Sequence, residues 1–122
     1  MAYAETHTVT IATAADGTAI GYTPVLTGKV INIIYTKTDF ATGVDFDITA
    51  ENSGIVLWDE DNVDTSKTVS PRQATHDKNG VEQSAAGDIN LGDIYLTNER
   101  VKISIAAGGN AKTGTFKVIV GG

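Results

Sequence analysis

Apolar and polar residues alternate along several short stretches of the chain, with the period of two that is typical of half-buried β-strands. In each stretch the apolar positions share one face and the threonines or charged residues share the other. This alternation predicts strands at residues 6–13, 44–49, 100–106 and 115–120.

Two further stretches are apolar without alternation. Residues 29–37 carry Val30, Ile31, Ile33, Ile34 and Tyr35, which predicts a central strand covered on both faces. Residues 55–58 predict a shorter apolar strand that ends at Trp58.

Glycine-containing turns separate these stretches. Asp16-Gly17 predicts a hairpin that returns the first strand into residues 18–22, and Pro24 keeps that return out of the centre of a sheet. Gly108-Gly109-Asn110 predicts a second hairpin, between residues 100–106 and 115–120.

Polar sequence interrupts the pattern at residues 59–92. Pro71 and Asn79-Gly80 lie in this span, which predicts a long loop or two short edge strands, with residues 67–76 as an extended edge segment. Residues 1–5 are expected to form a flexible N-terminal arm.

A length of 122 residues with 41% apolar residues corresponds to one domain with its own core. Thirteen glycines, two prolines and many β-branched residues favour short strands and tight turns over helices. We therefore predict that residues 1–122 form a single-domain, all-β, antiparallel β-sandwich, jelly-roll-like, with about seven or eight short strands.

Composition also excludes several classes of function. The chain has no cysteine, so disulfides and thiolate metal sites are excluded. We find no secretion signal and no apolar segment long enough to span a membrane, and expect no membrane partner. A net charge of −6 disfavours nucleic acid as a partner.

The charges are unevenly distributed. Residues 39–64 contain eight acidic residues and no basic one, whereas four basic residues follow Glu99 without an acidic counterpart. Either the two regions face each other within the fold or are solvated, or acidic and basic faces meet between neighbouring subunits.

The best candidate for a metal site is the acidic segment after Trp58, because calcium requires several oxygen ligands from a short loop. Its candidate ligands are Asp59, Asp61 and Asp64. The EF-hand spacing is absent, since Val63 and Asp64 occupy the fifth and sixth positions. We predict no cofactor, and a solvated acidic turn remains the alternative.

No motif supports catalysis, and we predict that the protein is not an enzyme. Asp45 and Asp47 share a strand face, but such pairs are common on acidic strands. His7 and His76 lack the neighbours of a nucleophile elbow or metal helix. Trp58 is either a core anchor, which we favour, or an exposed platform for a sugar.

Residues 29–35 (KVINIIY), 43–46 (GVDF), 57–58 (LW), 71–73 (PRQ) and 109–116 (GNAKTGTF) stand in an order that resembles small head proteins of tailed bacteriophages and prophages. The resemblance spans almost the whole chain. It implies a capsid decoration or cement protein, assembled in the host cytoplasm and located on the virion exterior. The implied partners are the major capsid protein and further copies of the chain, as a dimer or trimer.

The family offers no residue that can be carried over position by position. Candidate partner-interface residues are Tyr3, His7, Pro71, Arg72 and His76. Alternatives to a decoration protein are another phage tail or head-completion component, and a β-sandwich module that binds carbohydrate or calcium.

Overall fold

The computed structural model describes residues 3–85 and 88–122, which form thirteen antiparallel β-strands. In chain order the strands are β1 (Ala4–Ala12), β2 (Ala19–Tyr22), β3 (Leu26–Lys37), β4 (Asp45–Ala50), β5 (Val56–Glu60), β6 (Lys67–Val69), β7 (Arg72–Ala74), β8 (Ser84–Ala85), β9 (Asp88–Ile89), β10 (Leu91–Asp93), β11 (Tyr95–Glu99), β12 (Val101–Ala106) and β13 (Thr113–Gly121).

Nine of these strands form two packed sheets. Sheet 1 has the order β1-β13-β3-β11, and β6 pairs with β3 beyond the stretch that β11 occupies. Sheet 2 has the order β2-β12-β4-β5. The predicted antiparallel β-sandwich is confirmed. The predicted extended segment at residues 67–76 contains β6 and β7, whereas the prediction of seven or eight strands did not include β8 to β11.

Alternating side chains from both sheets build the core. Val101, Ile103 and Ile105 of β12 face Phe116, Val118 and Val120 of β13, and all six are buried, as their alternation predicts. Residues 44–49 also follow the prediction, since Phe46 and Ile48 point inward while Asp47 is exposed.

Strand β3 is central, as expected, but only its inner face is fully covered. Val30, Ile33 and Tyr35 are completely buried, whereas Ile34 is half-buried and Thr36 is exposed on the outer face. A register shift opposite Ile119 and Val120 accounts for the odd spacing between the buried residues of β3. The predicted cover on both faces is therefore wrong for the outer one.

Five aromatic side chains fill the centre of the sandwich. Phe46 lies edge-on to Tyr35, Phe116 and Trp58, at centroid distances of 4.7, 5.0 and 5.2 Å. Phe40 stacks on Tyr35 at 6.1 Å. Such geometry adds to the free energy gained from burial alone.

Both predicted hairpins are wrong, because each turn crosses from one sheet to the other. Strand β1 pairs with β13 and β2 pairs with β12, so the β1–β2 and β12–β13 connections run side by side. Gly108 donates its N–H to the carbonyl of Gly17 at 2.9 Å. Gly17 has φ of 82°, and a Cβ there would lie 3.1 Å from the Gly109 nitrogen. The β1–β2 and β12–β13 connections can therefore pack this closely because residue 17 is glycine.

The expected N-terminal arm is largely a strand. Ala4 and Glu5 pair with Gly121 and Val120, and Gly122 donates its N–H to the carbonyl of Tyr3 at 3.2 Å. These backbone bonds order the segment. Met1 and Ala2 of the expected arm lie outside the described residues.

The polar span at residues 59–92 contains more structure than the expected loop or two edge strands. Strand β6 adds to sheet 1, and β7 to β10 form two separate two-stranded sheets within residues 72–93, which we call the β-arm. Ala86 and Gly87 of this span lie outside the described residues.

Candidate partner-binding site

The β-arm is built from a stem and two branches. Strands β7 and β10 pair as the stem, with Leu91 opposite Ala74 and Asp93 opposite Arg72. Backbone hydrogen bonds join Thr75, Gln83 and Asn90 above the stem at 2.8 to 3.1 Å, where the two branches separate. The first branch carries an antiparallel bridge, and the second is the β8–β9 ladder.

The tip of the first branch is a turn that its own sequence specifies. Asp77 Oδ1 accepts the N–H groups of Asn79 and Val81 at 2.8 and 3.0 Å. Gly80 follows with φ of 81°, a conformation that glycine adopts without strain. Asn79-Gly80, which lies in the polar span of the sequence, thus belongs to a defined turn.

None of the described side chains in the β-arm is buried. Three large apolar side chains are more than half exposed: Val81 at 58%, Ile89 at 51% and Leu91 at 64%. The described part of the arm therefore keeps its shape through hydrogen bonds and an ion pair between Arg72 and Asp93, and presents apolar groups to its surroundings.

The candidate residues Pro71, Arg72 and His76 lie along the arm. Pro71 is buried where the arm leaves the sandwich, Arg72 forms an ion pair with Asp93 across the stem at 3.3 Å, and His76 bridges to Glu82 in the first branch. Because Pro71 is buried, it offers little accessible surface to a partner. Arg72 and His76 are exposed.

The other two candidates, Tyr3 and His7, belong to the sandwich. Tyr3 is 49% exposed and donates its hydroxyl to the carbonyl of Thr27 at 3.3 Å. His7 is half-buried in β1, with Nε2 3.1 Å from Glu5 Oε2. Among the described residues, no hydrogen bond or ion pair joins these two residues to the arm.

A second surface feature is an acidic depression of about 350 Å³ on the outer face of sheet 2. Asp45 and Asp47 of β4 line it with Asp59, Asp61 and Ser104. Asp47 and Asp59 lie directly opposite each other on paired strands. Like charges in this arrangement repel each other, so the face favours a cationic or strongly hydrated environment.

The three proposed calcium ligands do not come together. Asp59 and Asp61 line the depression, but Asp64 accepts the N–H of Gly43 at 2.6 Å. In residues 3–85 and 88–122, no three acidic or histidine side chains are placed to hold one metal ion.

Trp58 is a core residue, as we favoured, since it is only 6% exposed. Its indole N–H donates to Glu60 Oε1 at 2.9 Å, and Lys67 bonds the same carboxylate. Hydrogen bonds from Lys67 and then Trp58 hold the pKa of Glu60 below its ordinary value. Burial leaves the indole no exposed face on which a sugar ring could stack.

The acidic and basic regions meet partly within the fold. Arg100 forms a two-pronged ion pair with Glu51, which lowers the pKa of that carboxyl, and lies over the Tyr22 ring at 3.9 Å. By contrast, Lys117 is exposed on the outer face of sheet 1, away from the acidic depression. The expectation that basic residues face acidic ones within the fold is therefore met by Arg100 but not by Lys117.

Sequence reasoning missed one buried carboxylate. Glu99 is 4% exposed, and its Oε1 accepts the N–H groups of Ser53 and Asn52, each at 3.0 Å. These bonds, that from Ser53 first, lower the pKa of Glu99. The role is structural, since Glu99 holds the turn between β4 and β5.

Searches against protein-family models and against curated proteins found no match to this chain. The described residues contain no helix of the length and apolar character needed to cross a membrane.

Proposed function

We propose that the protein is a structural component of a phage virion, a decoration or cement protein that binds the outside of the capsid and stabilises it. The observation that carries this proposal is the β-arm, whose apolar side chains have no cover within the described part of the chain. A capsid surface built from the major capsid protein is the proposed cover.

The energetics of the arm favour this function. A two-stranded hairpin in water is at best marginally stable, and none of the arm's described side chains is buried to offset the entropy of ordering its backbone. Covering a valine, isoleucine or leucine completely contributes about 1.5–3 kcal/mol. Burial of Val81, Ile89 and Leu91 against a shell would therefore add stabilisation to the arm.

The charge of the protein also suits the capsid exterior. The net charge is −6, and the acidic depression concentrates four aspartates on one face. Packaged DNA repels such a face, so the outside of the shell is the favourable location. On this proposal the protein is assembled in the host cytoplasm.

The test is binding of the purified protein to empty expanded shells of the major capsid protein encoded in the same genome. We expect saturable binding with a stoichiometry set by the shell lattice, and a higher melting temperature for the decorated shell. Absence of binding would overturn the proposal.

Val81→Asp tests the role of the arm directly. The change places a charge on an exposed residue of the arm and should weaken shell binding about tenfold to a hundredfold. Val56→Asp is the matched control, because Val56 is similarly exposed, at 52%, but lies on sheet 2. Equal effects of the two variants would show that the arm is not the contact.

Two alternatives predict other outcomes. Saturable binding to tail or connector assemblies, with none to shells, would favour another virion component. A calcium-binding module predicts instead that calcium raises the melting temperature of the free protein and that Asp61→Ala abolishes the rise.

A further inference from the structure

Strand β1 is the longest exposed edge in the sandwich. It runs for nine residues, Ala4–Ala12, and pairs without a register shift to β13. Among the described strands, none pairs with its other side. A continuous free edge of this kind is a template for a further strand.

The hydrogen-bond pattern shows which backbone groups are free. Gly122 donates to Tyr3, and Thr13 donates to Lys112, so the odd-numbered residues of β1 bond to β13. Residues of an antiparallel strand alternate between bonding and not bonding to the neighbouring strand. The N–H and C=O groups of the even-numbered residues therefore point away from β13, outward from the free edge. These residues are Ala4, Thr6, Thr8, Thr10 and Ala12, and all five are exposed.

The remaining edges carry features that discourage pairing, whereas β1 does not. Strand β2 has four residues and is followed by Pro24, and β5 has five residues with a register shift and two acidic residues. The β11 edge also contains a register shift. Strand β1 contains no proline, lysine or bulge.

We propose that β1 pairs antiparallel with β1 of a second copy around a two-fold axis at Thr8, which joins sheet 1 of both copies into one continuous sheet. The inference does not depend on the capsid assignment. It identifies the surface through which the chain forms a dimer.

The sequence of β1 is self-complementary in this register. Thr8 lies opposite Thr8 of the second copy, Thr6 opposite Thr10, and Ala4 opposite Ala12. Threonine therefore pairs with threonine, and alanine pairs with alanine. Cross-strand threonine pairs are favourable. In each of these pairs both residues have outward-pointing N–H and C=O groups. Two hydrogen bonds per residue pair give about ten intermolecular hydrogen bonds.

The charges near the edge permit this pairing. Lys117 lies beside Thr8 in the sheet, so the two copies of Lys117 would be separated by three strand spacings, about 14 Å. That distance exceeds the screening length at physiological ionic strength. Glu5 would face Ile11 of the second copy, and no like charges are opposed.

Sedimentation equilibrium of the purified protein tests the proposal. Wild type should dimerise with a concentration-dependent mass, and amide exchange at Thr8 should slow as the dimer forms. Thr8→Pro removes an outward N–H but no bond to β13, and should give a folded monomer. Thr8→Val keeps the N–H and should remain dimeric.

A pair of charge variants tests the register and does not depend on proline being tolerated. Thr6→Lys with Thr10→Lys opposes lysines twice across the axis, whereas Thr6→Lys with Thr10→Glu opposes lysine and glutamate twice. The dissociation constants should differ by about tenfold or more, with the lysine–glutamate variant tighter. A monomeric wild type, or equal dimerisation of the two double variants, would overturn the proposal.

Discussion

The hydroxyl of Tyr35 lies at the centre of the core and yields a sharp prediction for stability. Tyr35 is completely buried, and no group in the described part of the protein hydrogen-bonds its hydroxyl. Burial raises the pKa of this phenol, since the charged form is disfavoured away from water. Tyr35→Phe removes the hydroxyl and keeps the ring contacts to Phe46 and Phe116.

The magnitude follows from two opposing terms. Burying an unpaired hydroxyl costs about 1–3 kcal/mol, which the variant recovers. The space left by one oxygen costs about 0.3 kcal/mol at about 24 cal/mol per Å³. The free energy of unfolding should therefore rise by about 0.7–2.7 kcal/mol, and the melting temperature by about 3–11 °C for a domain of this size.

Urea unfolding followed by Trp58 fluorescence, with thermal melts by circular dichroism, measures the change. Tyr95→Phe is the control, because Tyr95 is 59% exposed and loss of its hydroxyl should change stability by less than about 0.5 kcal/mol. Destabilisation by Tyr35→Phe of about 1 kcal/mol or more would show that the hydroxyl has a bonding partner and would refute the reasoning.

Two further substitutions test the packing and the buried carboxylate. Gly114→Ala would place a methyl group against the ring of Phe40. In urea titrations the substitution should lower the free energy of unfolding by about 1–3 kcal/mol. An unchanged urea midpoint would contradict the close contact. Glu99→Gln should cost about 1–2 kcal/mol at pH 7, because neutral acceptors bind the N–H groups of Asn52 and Ser53 less strongly. The pKa of Glu99 is lowered in the folded state, so its contribution is present above the ordinary value of 4.5 and is lost as the pH falls through the folded pKa. The difference in melting temperature between wild type and Glu99→Gln should thus disappear at acid pH. A difference that does not change with pH would show that the charge of Glu99 does not stabilise the fold.

The sequence predicts the elements of this fold better than their connections. Alternation identifies the buried faces of β4, β12 and β13 because a period of two directly reflects the pleat of a strand. Local pattern does not say which strands pair. At Asp16-Gly17 and Gly108-Gly109 the same turn chemistry serves a crossing between sheets, so both predicted hairpins fail.

The candidate site was located in the sequence only as a region. Weak apolar pattern predicts a long loop or two short edge strands at residues 59–92, and the β-arm lies largely within this span. The exposure of Val81 and Leu91 could not be predicted, because nothing in their neighbours distinguishes a projecting strand from a packed one. Glu99 was missed for a related reason, since its partners Asn52 and Ser53 lie more than forty residues away.

The position of β13 between β1 and β3 has a consequence for synthesis of the chain. Sheet 1 cannot close on the ribosome until residues 113–121 have emerged, because both neighbours need that strand for their ladders. Until then the edge of β3 that pairs with β13 has no partner strand. The apolar residues of β3 can therefore associate with other nascent chains. Pairing of the first strand with the last described one also requires closure of a very long loop, which predicts slow folding. Cells that produce the protein in quantity should therefore show more of it bound to chaperones during elongation than after release.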